Sequence, residues 1–451
     1  MDTDVLLFNP PAPGGRGYTR EGRCTQAAGI WGTQWPPLSL ATAAALLRRD
    51  GRRVALRDYP AAGLDLRALE GDLRELRPAF AVWSTGSPTM VSDLAVAPVV
   101  RRCAPGCVTA VIGTHATVRP EEALAEAALD VVVRGEPEGI LREFCRPGKC
   151  RNDVAGISWR DGDGALRHNP DALLLAPEEI PAPAWDGLDL GAYRLPLKGR
   201  RFLMVAPVRG CPWGCTFCTA PLYYGRGLRR RPVADVVDEM AGNVERYGIR
   251  EFFIWADTFT ADRHYVRELC RAVLARGLGI SWTCNSRVDT IDAETLGLMK
   301  EAGLWMISFG LESGSDAVLA ASGKGITVAQ SRAAVTLAHG LGIRTAGHFM
   351  LGLPGETEAT LAATLALALE LPLDVAQFYA AAPFPGTALF AEALRKGWLK
   401  LGTAPNYSQE RAVLELPGLP PGRVDAFRRH AYRRFYLRPA AAARLLSMVV
   451  K

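Results

Sequence analysis

The chain has 451 residues, of which 49% are apolar and 22% charged, with a net charge of +6. That composition excludes global disorder and allows a sizeable core in two or three domains, while the small positive balance gives no argument for nucleic-acid binding. No apolar run reaches the length of a membrane span, since Leu361–Leu371 is short and contains Glu370, and the acidic start "MDTDVLLFNP" lacks the basic region of a secretory signal, so a cytoplasmic location is expected. Ten cysteines in a chain this long are not a disulfide scaffold, and in a reducing compartment clustered thiols point to metal or catalysis.

The first 145 residues alternate short apolar runs with helical patterns. "DVLLFN", "RRVALRDY", "AFAVWST", "CVTAVIGTH" and "DVVVRGE" read as strands. "LATAAALLRRDG", "LRALEGDLRELRP", "VSDLAVAPVVRRC" and "EEALAEAAL" read as helices. This order predicts an α/β fold with a doubly wound parallel sheet, whose ligands sit beyond the carboxyl ends of the strands. Small, polar and turn-forming residues collect at those ends: Asn9 with two prolines, Asp58-Tyr59, Ser84-Thr85-Gly86-Ser87, Gly113-Thr114-His115 and Gly135-Glu136-Pro137. Such loops suit close approach to a large polar ligand, although βα loops are commonly of this composition. No G-x-G-x-x-G follows the first strand, which disfavours a dinucleotide.

Residues 146–200 read as a linker with a small β-element, a hairpin around Asp161-Gly162-Asp163-Gly164 followed by a proline-rich acidic stretch. From Arg201 a second alternation begins, with strands expected at 202–206, 250–255, 280–285, 304–309, 343–350 and 374–380. Six βα units predict a partial (β/α)6 barrel over 201–390, with its functional face at the carboxyl ends of the strands. Residues 391–451 are expected to be a helical, basic C-terminal region capping the barrel. The basic run "GRGLRRRP" (225–232) reads as solvated or as a contact to a cofactor's anionic groups, with an acidic substrate as the less favoured alternative.

"RGCPWGCTFC" follows the first barrel strand and gathers Cys211, Cys215 and Cys218 within eight residues. Four thiolates would close a tetrahedral zinc site or ligate an iron–sulfur cluster fully. The remaining cysteines form no second C-x-x-C; Cys103 and Cys107 flank a helix end, and Cys270 and Cys284 read as core. Three ligands on a four-iron cluster leave one iron open, the mark of a catalytic rather than a structural centre.

C-x-x-x-C-x-x-C in this position resembles the radical S-adenosylmethionine (radical SAM) enzymes. In that family the open iron is chelated by the methionine moiety of SAM, and reductive cleavage gives a 5′-deoxyadenosyl radical. The segments "FFIWADTFTAD", "NSRVD", "ISFGLESGSDAVL", "GHFMLGLPGET" and "QFYAAAPFPGTALF" are similar to later segments of the family's core. The resemblance implies a 4Fe-4S cluster on Cys211, Cys215 and Cys218, with Phe217, Asp257, Arg287, Glu312, Ser313 and Gly352 binding SAM. Asp257 stands where relatives often carry two adjacent acids, and here Ala256 precedes it.

Residues 1–145 in turn resemble the cobalamin-binding domain of the family's cobalamin-dependent branch, on "WPPLSLATAAALLRRDG", "STGSPTMVSDLAVA", "IGTHATVRPEEAL" and "VVVRGEPEGI". This implies cobalamin contacts from Asn9, Ser84, Thr85, Ser87, Gly113, His115, Gly135 and Glu136. The D-x-H-x-x-G of many cobalamin domains is absent, and Gly113-Thr114 replaces the Gly-Gly-Pro of relatives, so His115 is read as a loop residue near the corrin rather than a cobalt ligand.

The resemblance as a whole implies a cobalamin-dependent methyltransferase of the class B type, acting through methylcobalamin on an unactivated carbon of a small molecule such as a natural product, lipid or tetrapyrrole. Its electron would come from flavodoxin or ferredoxin. An oxidative cyclase or rearrangement enzyme with the same cofactors is the alternative, and a non-enzymatic iron–sulfur or cobalamin carrier is disfavoured by the missing fourth thiol.

Overall fold

A computed structural model describes residues 3–11, 18–21, 24–27, 34–196, 198–399, 407–439, 441, 444–445 and 448, without the side chains of 24–27. The chain divides into two compact units, Met1–Arg194 with Thr219–Gly225, and Leu195–Cys218 with Arg226–Lys451. Among the described residues no helix is long and apolar enough to cross a membrane.

The first unit opens with β1 (Val5–Asn9), buried along its whole length, as an interior strand covered on both faces must be. A hairpin of β2 (Tyr18–Glu21) and β3 (Cys24–Ala27) follows, which the sequence reading did not assign. Then come α1 (Leu38–Arg49), β4 (Val54–Asp58) and α2 (Leu66–Leu76). Asp65 caps α2 by accepting from the amides of Arg67 and Ala68, and the helix ends before Pro78 with Arg77 left-handed. Next is β5 (Phe80–Ser84).

The single helix expected over 91–103 is two, α3 (Met90–Leu94) and α4 (Ala97–Cys103). The ring of Pro98 would clash with the carbonyl four residues back, at Leu94, so the first helix stops there. After β6 (Val108–Ile112) come the short helices α5 (Thr114–Val118) and α6 (Pro120–Leu124), the latter ending well before Leu129, where a longer helix was expected. The unit continues with β7 (Val131–Val133), α7 (Pro137–Phe144), β8 (Ile157–Arg160) and β9 (Leu166–His168).

The sheet order is β4-β1-β5-β6-β7-β8-β9. The first five strands are parallel; the expected hairpin, β8 and β9, extends the same sheet antiparallel to β7. The chain reverses its winding between β1 and β5, which places the carboxyl ends of β1, β4 and β5 around one crevice. Beneath it Phe8 stacks on Trp83 with centroids 5.5 Å apart, and Tyr59 meets Phe8 edge-on at 5.9 Å.

The second unit contains β10 (Phe202–Val205), the two-residue strand β11 (Val208–Arg209) and, after α8 (Ala220–Tyr224) of the first unit, β12 (Arg229–Arg230), which pairs with β11. There follow α9 (Val233–Tyr247), β13 (Glu251–Ile254), α10 (Arg263–Arg276), β14 (Ser281–Ser286), α11 (Ala293–Glu301), β15 (Leu304–Glu312), α12 (Asp316–Ala321), α13 (Val328–Gly340), β16 (Arg344–Leu351), α14 (Glu358–Glu370), β17 (Val375–Ala380), α15 (Ala388–Arg395) and α16 (Pro421–Tyr436). The six long strands pair in parallel in chain order, β10-β13-β14-β15-β16-β17, as a partial barrel requires.

The basic C-terminal helix protects the edge strand β17. Tyr436 Oη accepts from Ala376 N (3.2 Å) and donates to Ala376 O (2.8 Å), and Tyr432 Oη accepts from Phe378 N (3.1 Å). "GRGLRRRP" is solvated only in part: Arg226 and Arg230 are exposed, but Arg229 and Arg230 form β12, and Arg231 is buried in an ion pair with Glu239 at 2.6 Å. The cost of burying the arginine is offset by a carboxylate in contact.

Candidate functional site

The loop Gly210–Cys218 leaves β11 at the carboxyl end of the barrel strands and is fixed mainly through its backbone. Gly210 N–H donates to Asp257 Oδ2 (3.1 Å), Thr216 N–H to Ser322 O (2.9 Å), and Leu389 N–H to Thr216 O (2.9 Å). Cys211 Sγ lies 3.6 Å from Thr258 Oγ1 and is buried, whereas Cys215 and Cys218 are half-buried. Burial raises the thiol pKa of Cys215, with the nearby Lys324 opposing. Phe217 is half-buried on the same loop.

Among the described residues no three His, Cys, Asp or Glu side chains are gathered as the ligands of one metal ion. Three soft thiolates carried on one loop fit the wider polynuclear core of an iron–sulfur cluster instead.

Behind the loop stands a set of paired charges. Arg287 follows β14, forks onto Asp289 (2.9 and 2.8 Å), donates to Lys324 O (2.8 Å) and lies 4.4 Å over the Trp213 ring of the cysteine loop. Glu312 ends β15 with φ +60°, a left-handed backbone that few non-glycine residues adopt, and accepts a 2.7 Å hydrogen bond from Lys324. Lys324, between two glycines, was not singled out by the sequence reading; only that spacing hinted at a turn.

Ser313 is fully buried, with its hydroxyl at 3.2 Å from Thr364 Oγ1 and accepting from Ser315 N–H, so it holds the turn after β15. Gly352, φ +85°, donates its N–H to the Glu356 carboxylate, which Leu353 N also meets at 3.3 Å. Burial pushes the Glu356 carboxyl up to about 7. Its second oxygen is buried with no hydrogen-bond partner. Glu356 was also missed as a residue of interest, although it closes the quoted "GLPGE" turn.

In the first unit all eight expected residues lie at the carboxyl edge of the parallel strands, on β1, β5, the turns after β5, β6 and β7, and the first turn of α5. Gly113, φ +138°, packs against the loop after β5 so closely that a Cβ there would stand 2.0 Å from Thr85 O. Asn9 Oδ1 and Thr85 Oγ1 are buried with no hydrogen-bond partner. Gly135 N donates to Thr117 Oγ1 (2.9 Å), and Glu136 is buried at the start of α7.

His115 is not a loop residue as expected. It sits buried in the first turn of α5, with Nδ1 at 3.0 Å from Ser87 Oγ and Nε2 at 3.0 Å from Glu122 Oε2. The strand β6 ends one residue before Gly113, and the helix starts at once, because Gly113 supplies the turn.

The hairpin β2–β3 is anchored at this edge. Arg20 forks onto Asp93 (3.0 and 2.8 Å), both fully buried, while Thr89 Oγ1 donates to Asp93 at 2.6 Å. Glu21 accepts from Ser39 N (3.1 Å) at the start of α1. Nearby, Tyr193 donates to Asp58 (2.9 Å) beside a cavity of about 50 Å³, and burial raises the carboxyl of Asp58.

Comparison with known proteins places these two edges in one family. Residues 205–368 match the Radical SAM superfamily and 29–145 the B12 binding domain. An uncharacterized methyltransferase of Pyrococcus horikoshii is 32% identical over 414 residues, 91% of this chain and 90% of the relative. The chain belongs to the cobalamin-dependent radical SAM enzymes.

Cytidylyl-2-hydroxyethylphosphonate methyltransferase of Streptomyces wedmorensis is 30% identical across 92% of this chain and 86% of its own. An anaerobic magnesium-protoporphyrin IX monomethyl ester cyclase of Cereibacter sphaeroides is 28% identical across 90% and 68%. In fold, the radical S-adenosylmethionine methyltransferase TsrM of Kitasatospora setae, solved with cobalamin and a 4Fe-4S cluster, superposes with a TM-score of 0.73 at 18% identity, covering 99% of this chain and 89% of that one.

A cobalamin-dependent radical SAM enzyme takes a 4Fe-4S cluster, SAM and cobalamin, and its methyltransferase relatives predominate here. The residues suit these groups. The three thiols suit a cluster, and at the glycine-lined edge of the first sheet the Asn9 amide oxygen could accept from, and the Thr85 hydroxyl donate to or accept from, a large polar ligand.

Proposed function

We propose that this enzyme methylates an unactivated carbon of a small molecule. The observation that supports the reading is the cysteine loop itself: anchored through its backbone to Ser322, Leu389 and Asp257, it carries three soft thiols within eight residues, the donor set of an iron–sulfur centre. When bound, the cluster and SAM supply a 5′-deoxyadenosyl radical and cobalamin supplies a transferable methyl group.

The chain's own part is to hold and orient these groups. Cys211, Cys215 and Cys218 hold the cluster. Arg287 and the Glu312–Lys324 pair meet the charged and hydroxyl groups of SAM, with Asp257 and Gly352 beside it and Phe217 excluding water; Ser313 keeps the Glu312 turn in place. Asn9, Ser84, Thr85, Ser87, Gly113, His115, Gly135 and Glu136 form the cobalamin edge. In this reading residues 1–145 carry cobalamin, 146–200 connect, 201–390 carry the cluster and SAM, and 391–451 close the edge of the second sheet. The reducing electron comes from a flavodoxin or ferredoxin, the location is cytoplasmic, and no nucleic acid is involved.

The test is anaerobic turnover with SAM and a reductant, followed by mass analysis. Release of both 5′-deoxyadenosine and S-adenosylhomocysteine, with a product heavier by one methylene unit, is expected. Turnover without S-adenosylhomocysteine overturns methyl transfer. The cyclase relative supports a second reading, oxidative cyclisation with the same cofactors, in which the product gains no carbon.

A further inference from the structure

The first unit contains a hydrogen-bonded chain, Ser87–His115–Glu122, that a loop histidine near a ligand does not need. His115 joins the turn after β5, where Ser87 lies, to α6, where Glu122 lies, with 3.0 Å contacts at both ring nitrogens. A carboxylate oxygen only accepts, so the proton of this contact sits on Nε2. Burial lowers the pKa of His115, with the Glu122 contact opposing, and a neutral imidazole has one N–H. Nδ1 is therefore a lone pair, and the only proton available between it and Ser87 is the serine's own. The Ser87 hydroxyl donates inward, and the rest of its hydrogen-bonding capacity is lone pairs.

Ser87 has acceptor company on this edge. Asn9 Oδ1, at the end of β1, is a buried acceptor with no partner. At Ser87 and Asn9 the edge thus presents oxygens whose complement is an N–H donor without negative charge. The corrin ring of cobalamin is rimmed by uncharged carboxamides, which are N–H donors. A carboxylate in the same place would set its lone pairs against those of Ser87 and lose a hydrogen bond while burying charge.

We propose that His115, fixed by Glu122, holds Ser87 as an obligate hydrogen-bond acceptor that selects the amide rim of cobalamin over forms in which a rim amide has become a carboxylate. The proposal rests on the reading that this edge binds cobalamin. Ser87 touches the ligand, and His115 and Glu122 are positioning residues. Freed from His115, the Ser87 hydroxyl could turn and donate, and the selectivity would fall even though the serine remained.

The experiment titrates the full-length protein with hydroxocobalamin and, separately, with its purified monocarboxylic acids, in each of which one peripheral amide is hydrolysed. Binding is read from the visible spectrum and from equilibrium dialysis. The wild-type protein is expected to prefer hydroxocobalamin over at least one monoacid on the order of tenfold. Ser87→Ala and His115→Phe should each bring that ratio to within about twofold for the same monoacid, and the double variant should change it no further than either alone. Ser87→Ala removes one oxygen and guards against misfolding of the histidine variant. An unchanged ratio in Ser87→Ala overturns the proposal while leaving the cobalamin edge intact. Failure of the wild-type protein to bind hydroxocobalamin overturns the reading beneath it, and the proposal with it.

Discussion

In both units the connection after the first parallel strand carries an added element, and the two are held by opposite means. After β1, the hairpin β2–β3 is fixed through side chains: Arg20 reaches Asp93, 73 residues away, and Glu21 reaches the start of α1. After β10 and β11, the cysteine loop is fixed mostly through backbone amides and carbonyls at Gly210, Thr216 and Leu389. A segment anchored by its side chains commits them to the protein. One anchored by its backbone leaves them for a ligand. That difference fits the proposed role of the loop as the carrier of a ligand, a role the hairpin's committed Arg20 and Glu21 side chains do not suit.

The largest expected effect comes from removing the thiols that the backbone-anchored loop carries. Alanine at Cys211, Cys215 or Cys218 should abolish SAM cleavage after anaerobic reconstitution and lower bound iron, with the unfolding midpoint of the protein as purified, before reconstitution, nearly unchanged. Undiminished 5′-deoxyadenosine formation in any of the three would break the assignment of the loop.

Removing a side-chain anchor should act on stability instead. Arg20→Met leaves Asp93 buried without its cation, which costs about 3–5 kcal/mol. Denaturant unfolding should show that loss, and a cost below about 1 kcal/mol would mean the hairpin is held by something else.

Glu356 sharpens the comparison on the second unit, where a buried acid is met by two backbone amides rather than by a cation. Its carboxyl is raised from 4.5 to about 7, so the folded state favours the protonated form. The associated stability is fully present below pH 4.5 and is lost as pH rises through 7, about 3 kcal/mol in all. Relative to wild type, Glu356→Gln should therefore gain stability between these limits. A parallel pH profile in the two proteins would contradict the burial-driven shift.

The smallest effect should come from crowding a backbone anchor. Gly323 has φ +64°, and a Cβ there would stand 2.8 Å from Gly214 O in the cysteine loop. Gly323→Ala should cost about 1–3 kcal/mol and reduce cluster loading in the same step. Lost stability with full loading would show that the loop tolerates displacement of this turn.

Several features were legible in the chain alone because their causes are local. Alternating apolar runs and helical periods gave all eleven parallel strands to within a few residues, since a buried strand or amphipathic helix is written in neighbouring side chains. The three cysteines stand out in the sequence because thiols at this fixed spacing have few other uses, and their proposed role as cluster ligands rests on that spacing. Long-range adjacency decided the rest. The order β4-β1-β5 brings Arg20 to Asp93, the turn after β5 meets α5 to join Ser87 with His115, and Lys324 folds back on Glu312. None of these partners is implied by its neighbours in sequence, because a buried charge or a bonded imidazole is defined by what the sheet brings opposite it, and that is a property of the packed chain.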